Sequence, residues 1–353
     1  MPKTDSAKKI LCLFLSLVMV LALSACGGSS TSGSSGGASA TPAAAPVEIL
    51  FASGSAGGAW AQTATMFSDR CQENIPNFTY TIVPGGGASN VILVSRGECN
   101  VGMTFLTNLS DICKGIGQYE EEFPDGAQNL RVMCRLGVTS WGHIVISEAN
   151  AKKYNISSMQ DIIDQKLPLK FNVGSVGQGD ELFARRMLAA YGTTYEDIES
   201  WGGQVTYSPN GDAIDRFVNG NQCDVLIFVE KLGLAEVTEL FSSRDCVLVS
   251  IDDAILQSLA DDYNYVIGSA PIETYKGMTA PFNTVYQEQV VFTRDDMDEE
   301  LIYKMTKTIL ENKDEWIKVN ASFTSFDPAN AYKGIPCELH PGAERAYKEL
   351  GLM

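Results

Sequence analysis

Ser53-Gly54-Ser55-Ala56-Gly57-Gly58-Ala59-Trp60 stands between a run that reads as a strand over residues 47–53 and one that reads as a helix over 59–71. The helix reading rests on Trp60, Ala64, Phe67 and Cys71, which share one face at helical spacing. Glycines at such a junction let the backbone turn tightly and leave amide N–H groups exposed, while the helix N-terminus adds positive partial charge. Together they form a seat for a carboxylate, a phosphate or another polar acceptor. Ser53 and Ser55 add hydroxyl donors, and Trp60 adds an aromatic wall or an indole N–H.

The element recurs. Pro84-Gly85-Gly86-Gly87-Ala88-Ser89-Asn90 follows a strand over 79–83 and opens a helix over 89–96, with a further strand over 100–105. Gly174-Ser175-Val176-Gly177-Gln178-Gly179-Asp180 lies between a strand over 170–174 and a helix over 181–191. Other strands read at 144–147, 204–208, 225–229, 247–251 and 284–293. Helices read at 158–163, at 212–218 closed by Gly220, and at 298–318. This alternation predicts an α/β protein of two lobes, each lobe a mostly parallel sheet flanked by helices. The expected division is lobe 1 over 47–140 with 271–353, and lobe 2 over 141–270. Glycine loops at strand C-terminal ends in both lobes point to a ligand held in the cleft between them.

Upstream, Lys3, Lys8 and Lys9 precede an apolar run over 10–23, the pattern of a secretory leader spanning residues 1–25. Leu23-Ser24-Ala25-Cys26 resembles a lipobox, so Cys26 is the expected lipid attachment point. Residues 26–46, nearly all Gly, Ser, Ala, Thr and Pro, read as a flexible tether with a reach on the order of 25 Å. The chain of 353 residues has a formal net charge of -17 and no basic block beyond its first residues, which argues against nucleic acid as a partner.

Catalytic and cofactor signatures are thin. Neither G-x-G-x-x-G nor G-x-x-x-x-G-K-[ST] fits the glycine loops, so no nucleotide cofactor is expected. No cysteine has zinc-ligand spacing, so no metal is expected either. His143 and His340 are the two histidines. A general base at His143 would make the protein a surface hydrolase or transferase, whereas a satisfied core histidine fits its apolar strand context better. A surface antigen without a small ligand is the third reading.

At this point the motifs resemble those of the TAXI-type solute-binding proteins, the extracytoplasmic receptors of tripartite ATP-independent periplasmic (TRAP) transporters. Ala52 to Trp60 is similar to that family's A-T-G-G-T-G-G-x-Y, and Pro84 to Asn90 to its P-T-G-G-S-x-x-N. Arg96-Gly97-Glu98-Cys99-Asn100-Val101-Gly102 resembles R-S-G-E-A-D-L-G, Ala184-Arg185-Arg186-Met187-Leu188 resembles A-R-R-L-L, and His340-Pro341-Gly342-Ala343 resembles H-P-G-A. The resemblance implies a two-lobed, periplasmic-binding-protein-like fold and a monomeric, non-enzymatic receptor that closes on a small organic solute and delivers it to TRAP membrane subunits. The implied contacts are Ser53, Gly54, Ser55, Trp60, Gly86, Gly87, Ser89 and Asn90 from one lobe, and Ser175, Gln178, Gly179, Asp180 and Glu230 from the other. Asp180 and Glu230 depart from the family pattern and add negative charge, so an acidic or zwitterionic amino acid is expected alongside plain carboxylates.

Overall fold

β1 (Val47–Ala52), α1 (Ala59–Asn74), β2 (Phe78–Val83), α2 (Gly87–Ser95) and β3 (Val101–Phe105) open the computed structural model, with β1 paired in parallel between β2 and β3. The structure describes residues 46–219 and 222–353. The leader, Cys26, the tether before Pro46 and Gly220 lie outside the described residues. α3 (Leu106–Lys114) follows β3 without a loop and ends at Gly115, whose φ of 65° suits a residue lacking Cβ. β4 (Leu130–Ser147) is 18 residues long.

The chain then alternates short elements: α4 (Glu148–Tyr154), α5 (Met159–Asp164), β5 (Lys170–Asn172), α6 (Gly179–Ala190), α7 (Tyr195–Ser200), β6 (Gln204–Thr206), α8 (Asn210–Val218), β7 (Val225–Glu230), α9 (Ala235–Ser243), β8 (Cys246–Leu248), α10 (Asp253–Tyr263) and β9 (Val266–Ala270). β10 (Phe282–Arg294), α11 (Glu299–Glu311), α12 (Lys313–Val319) and α13 (Pro341–Glu349) complete it. The helix expected over 298–318 is broken at Asn312. The Asn312 amide takes the Thr308 carbonyl at 2.7 Å and receives Arg70 at 3.2 Å, so the side chain competes with the backbone ladder.

The α/β fold is as the alternation predicts, with a curled mixed sheet in the order β2-β1-β3-β10-β4-β7-β5-β6, β8 on β4 and β9 on β10. All ten strands belong to one hydrogen-bonded sheet, eight on the main path and β8 and β9 at its sides, because the long strands β4 and β10 pair with each other through the middle. Parallel pairing persists in each half, β2-β1-β3 on one side and β6-β5-β7 on the other. Ile49, Phe51, Phe67, Trp316 and Tyr347 form one core, with Val91, Leu109, Leu130 and Phe292 on the opposite face of the same half. Ile144, Phe171, Phe183 and Ile227, and on their other face Val145, Phe217 and Phe228, fill the second half. Each such aromatic or branched side chain contributes roughly 1.5–3 kcal/mol by leaving water. Tyr275 and Val285 pack with the second half, so the chain returns to the first half only within β10.

A bulge marks that crossing. Thr139 pairs with Glu288 and Arg135 with Val290, so residues 136–138 of β4 face the single Gln289. Gly137 sits in the bulge at φ 68°, its N–H donating to Glu288 Oε1 at 2.8 Å, and the buried Glu288 carboxylate also pairs with Arg135.

Candidate ligand-binding site

A cavity of about 360 Å³ opens between the two halves. Gly86, Gly87, Ala88 and Ser89 wall it from the first half, with Phe105, Thr107, Asn108 and Gln118. Gly177, Gln178, Gly179, Leu182, Arg186 and Tyr265 wall it from the second, and Gln287 of β10 lies at the crossing. Two glycine loops therefore face one another across it, and its size is in the ordinary range for small-molecule sites.

The loops are braced from beneath. Asn90 is fully buried, its Nδ2 donating to the carbonyls of Ser53 at 2.8 Å and Met103 at 2.7 Å while its Oδ1 accepts from Gly86 N at 3.2 Å. Asn90→Ala should cost roughly 3 kcal/mol, because the removed amide leaves buried carbonyls without partners. Chemical denaturation checks this, and a loss under about 1 kcal/mol would contradict the bracing role. Glu181 does the equivalent for the opposite loop. Its buried carboxylate accepts Gly177 N at 3.1 Å and pairs with Arg185 and the Tyr195 hydroxyl.

The remaining expected contacts sit elsewhere. Ser53 is buried with its Oγ unpartnered, and its backbone N–H serves Val83. Ser55 is exposed at the turn and accepts Gly58 N through its carbonyl. Trp60 is wedged between the first two loops: a Cβ on Gly54 would meet Trp60 Cβ at 2.9 Å, and the indole packs edge-on to Phe105 at 5.0 Å. The first glycine loop is thus shaped around an aromatic side chain. Ser175 accepts Gln178 N within its own loop. Asp180 Oδ1 accepts Val229 N at 2.6 Å, and Glu230 accepts Asn210 Nδ2 at 3.3 Å. None of Ser53, Gly54, Ser55, Trp60, Asn90, Ser175, Asp180 and Glu230 lines the cavity, whereas Gly86, Gly87, Ser89, Gln178 and Gly179 do.

The charge that does reach the cavity is Arg186, on α6. Its guanidinium pairs with Asp111 of α3, stacks over the Tyr263 ring at 4.4 Å and lies 6.0 Å from Tyr265. Asp111 is buried and Arg186 half-buried, and burial pushes the Asp111 carboxyl up despite the opposing pull of Arg186. Desolvation therefore outweighs pairing, and one Asp111 oxygen stays unpartnered. Thr107, Asp111 and Lys114 fall on one face of α3 and all reach across: to Gln287 Oε1 at 3.0 Å, to Arg186, and to the Asp262 carbonyl at 2.7 Å. Because Thr107 donates to Gln287 Oε1, the Gln287 amide nitrogen is the atom turned toward Gly179.

His143 is fully buried away from the cavity. Its Nδ1 lies 2.8 Å from the Trp141 carbonyl, which can only accept, so Nδ1 carries the proton and Nε2 accepts from the Tyr275 hydroxyl at 2.8 Å. Burial drives the imidazole down to about 4, with the Trp141 bond opposing. Between that value and the ordinary 6.5 the unfolded chain binds the extra proton, so this site's contribution, up to about 3 kcal/mol, is lost as pH falls through that window. Asp180 works the other way. Burial raises its carboxyl to about 6, so its contribution is lost as pH rises through 6. Melting curves from pH 7 to 4.5 should show a shallower acid loss in His143→Gln than in the parent, and equal slopes would contradict the assignment.

Among the described residues no group of His, Cys, Asp and Glu could hold a metal ion, and no helix is long and apolar enough to cross a membrane. Among solved structures the chain is similar to XAC2383 of Xanthomonas citri bound to ATP, at 12% identity and TM-score 0.48, covering 86% of this chain and 95% of that one. It is also similar to MatC of Rhodopseudomonas palustris with bound malate, at 10% identity and TM-score 0.44, covering 87% of this chain and 97% of that one. A third is the amino acid ABC transporter substrate-binding protein AbpA of Streptococcus pneumoniae bound to L-arginine, at 12% identity and TM-score 0.37, covering 85% and 94%. The model of one sequence family matches residues 51–351, nearly the whole described region, and the chain belongs to that family, the NMT1-like family.

Proposed function

We propose that this protein is a solute-binding receptor, not an enzyme, that captures a small carboxylate, including acidic and zwitterionic amino acids, in the cavity between its halves. The observation that carries the reading is the cavity itself: two facing glycine loops, the amides of Asn108, Gln118, Gln178 and Gln287, and Arg186 as the one charged side chain in its wall. Backbone amides and a guanidinium suit an anionic group, and no carboxylate in that wall opposes one. The catalytic reading of His143 lacks support, since both ring nitrogens are engaged inside the core.

In this reading the first lobe comprises residues 47–140 and the second begins at 141, with the return crossing near Gln287, where β10 leaves the second core. Ligand contact with both lobes stabilises the closed arrangement. Secretion by the leader, lipidation at Cys26 and delivery to a TRAP-type transporter complete the proposal. They rest on the N-terminal sequence and on the motif resemblance.

A thermal-shift screen of dicarboxylates and amino acids, followed by calorimetry, tests it. A ligand at 100 times its Kd stabilises by about 2.7 kcal/mol, readily visible as a melting shift. No stabilisation by any anionic solute, or conversion of a bound solute to product, would overturn the proposal.

A further inference from the structure

Gln287 lies on β10 where that strand crosses between the halves, and its side chain is in the wall of the cavity. The residue is only 6% exposed. Its Oε1 accepts from the Thr107 hydroxyl at 3.0 Å, while its Nε2 donates to no group among the described residues. A buried N–H without an acceptor costs free energy, which a ligand supplying one recovers.

The direction of that amide is fixed. Thr107 is buried, and its hydroxyl has no other acceptor among the described residues, so turning the amide round would strand the hydroxyl proton. The nitrogen end therefore faces the cavity, where a Cβ placed on Gly179 would stand 3.7 Å from it. Asn108 and Gln178 in the same wall take no side-chain hydrogen bond among the described residues, so either can turn its oxygen or its nitrogen to a solute. Gln287 cannot.

The other fixed groups of the wall are donors too. Arg186 brings its guanidinium, and α2 and α6 start at the cavity with Gly87 and Gly179 as their first residues, presenting the positive ends of two helices. Arg186 and Gln287 meet around Tyr265. The guanidinium lies 6.0 Å from the Tyr265 ring, and Tyr265 comes just before Val266, the partner of Tyr286, which sets it beside Gln287.

We propose that Gln287 is the specificity-determining donor of the cavity and that Thr107 is its positioning residue. With the solute's carboxylate at Arg186, Nε2 donates to an oxygen on the adjoining carbon, so a 2-oxo acid is held in preference to the 2-amino acid of the same skeleton. An ammonium in that place faces amide N–H bonds, a guanidinium and two helix N-termini, with no fixed acceptor to receive it and no carboxylate in the wall to balance it. The inference rests on the receptor reading and narrows it, from small carboxylates in general to those with an acceptor beside the carboxylate.

Calorimetry on the full-length protein tests it with three pairs: pyruvate and L-alanine, 2-oxoisovalerate and L-valine, 2-oxoglutarate and L-glutamate. In the tightest-bound pair the oxo acid should bind at least about tenfold more tightly than the amino acid. Gln287→Met removes the donor at nearly constant side-chain length and should bring the two within about threefold. Thr107→Val frees the amide to turn its oxygen inward and should narrow the gap in the same direction. A purely structural role for either residue would weaken both members of a pair alike and leave their ratio unchanged. Melting of the unliganded variants within a few degrees of the parent confirms folding, and if Gln287→Met does not fold, the ratio in Thr107→Val decides. An amino acid bound by the parent as tightly as its oxo acid, a ratio that either folded variant leaves unmoved, or capture of another anionic solute while no oxo acid binds would overturn the inference and leave the receptor reading standing. Failure of every anionic solute to bind would overturn both.

Discussion

Arg186→Met should abolish capture of any anionic solute, weakening Kd by at least about 30-fold and by as much as several thousandfold. The range follows from removing one partner of a desolvated, charge-assisted contact, which costs about 2–5 kcal/mol. Met keeps an unbranched apolar stem on α6 and removes the guanidinium, with its pairing to Asp111 and its stacking over Tyr263, so the loss reports that group. The substitution also strands Asp111, buried at 2% exposure, without its counter-charge. A companion Arg186→Met/Asp111→Asn protein deals with that: neutralising the carboxyl removes the stranded charge and restores stability, while binding stays lost. Titration calorimetry on the two proteins separates the effects. Binding by Arg186→Met within threefold of the parent would remove Arg186 from the site.

Gly137→Ala is expected to be strongly destabilising, costing about 3 kcal/mol or more and lowering Tm on the order of 10 °C. At φ 68° an L side chain is already strained, and the added Cβ would run into the Ser325 carbonyl and lie 2.7 Å from Phe326 Cα, both backbone atoms that cannot swing aside. The bulge would have to open, pulling Gly137 N–H off Glu288 and disturbing its pairing with Arg135. Gly57→Ala is the control: φ is 77° but nothing lies within 4 Å, so only the conformational cost of about 1 kcal/mol applies. Comparable losses at the two positions would show that positive φ alone, and not the bulge's crowding, sets the cost.

Much of the fold is legible because strand and helix periods alternate clearly around the glycine loops. α1, α2 and β3 fall within three residues of the stretches 59–71, 89–96 and 100–105 read from the sequence. β4 and α3 are harder to read. β4 is buried at both ends and interrupted by polar residues at the crossing, so its 18 residues show no single period, and α3 starts immediately after β3 with no turn signal. The site is half visible for a different reason. Gly86 and Gly179 mark loops by local geometry, which the sequence carries, whereas Arg186, Thr107 and Gln287 meet only because distant segments fold together. Arg186 sits inside the A-R-R-L-L match, yet a charge on a helix ordinarily reads as solvated, and nothing local reveals that Asp111 and Tyr263 enclose it. Asp180 and Glu230 stand beside glycine loops in the sequence, and their partners, the backbone of β7 for one and the amide of Asn210 for the other, show only in the fold.

A crystal structure with a solute from the thermal-shift screen bound tests the account most directly. It should show the solute's carboxylate within about 3 Å of the Arg186 guanidinium, between the backbone of Gly86–Ser89 and that of Gly177–Gly179. A solute held instead against Trp60 or Asp180, with the Arg186 cavity empty, would contradict it.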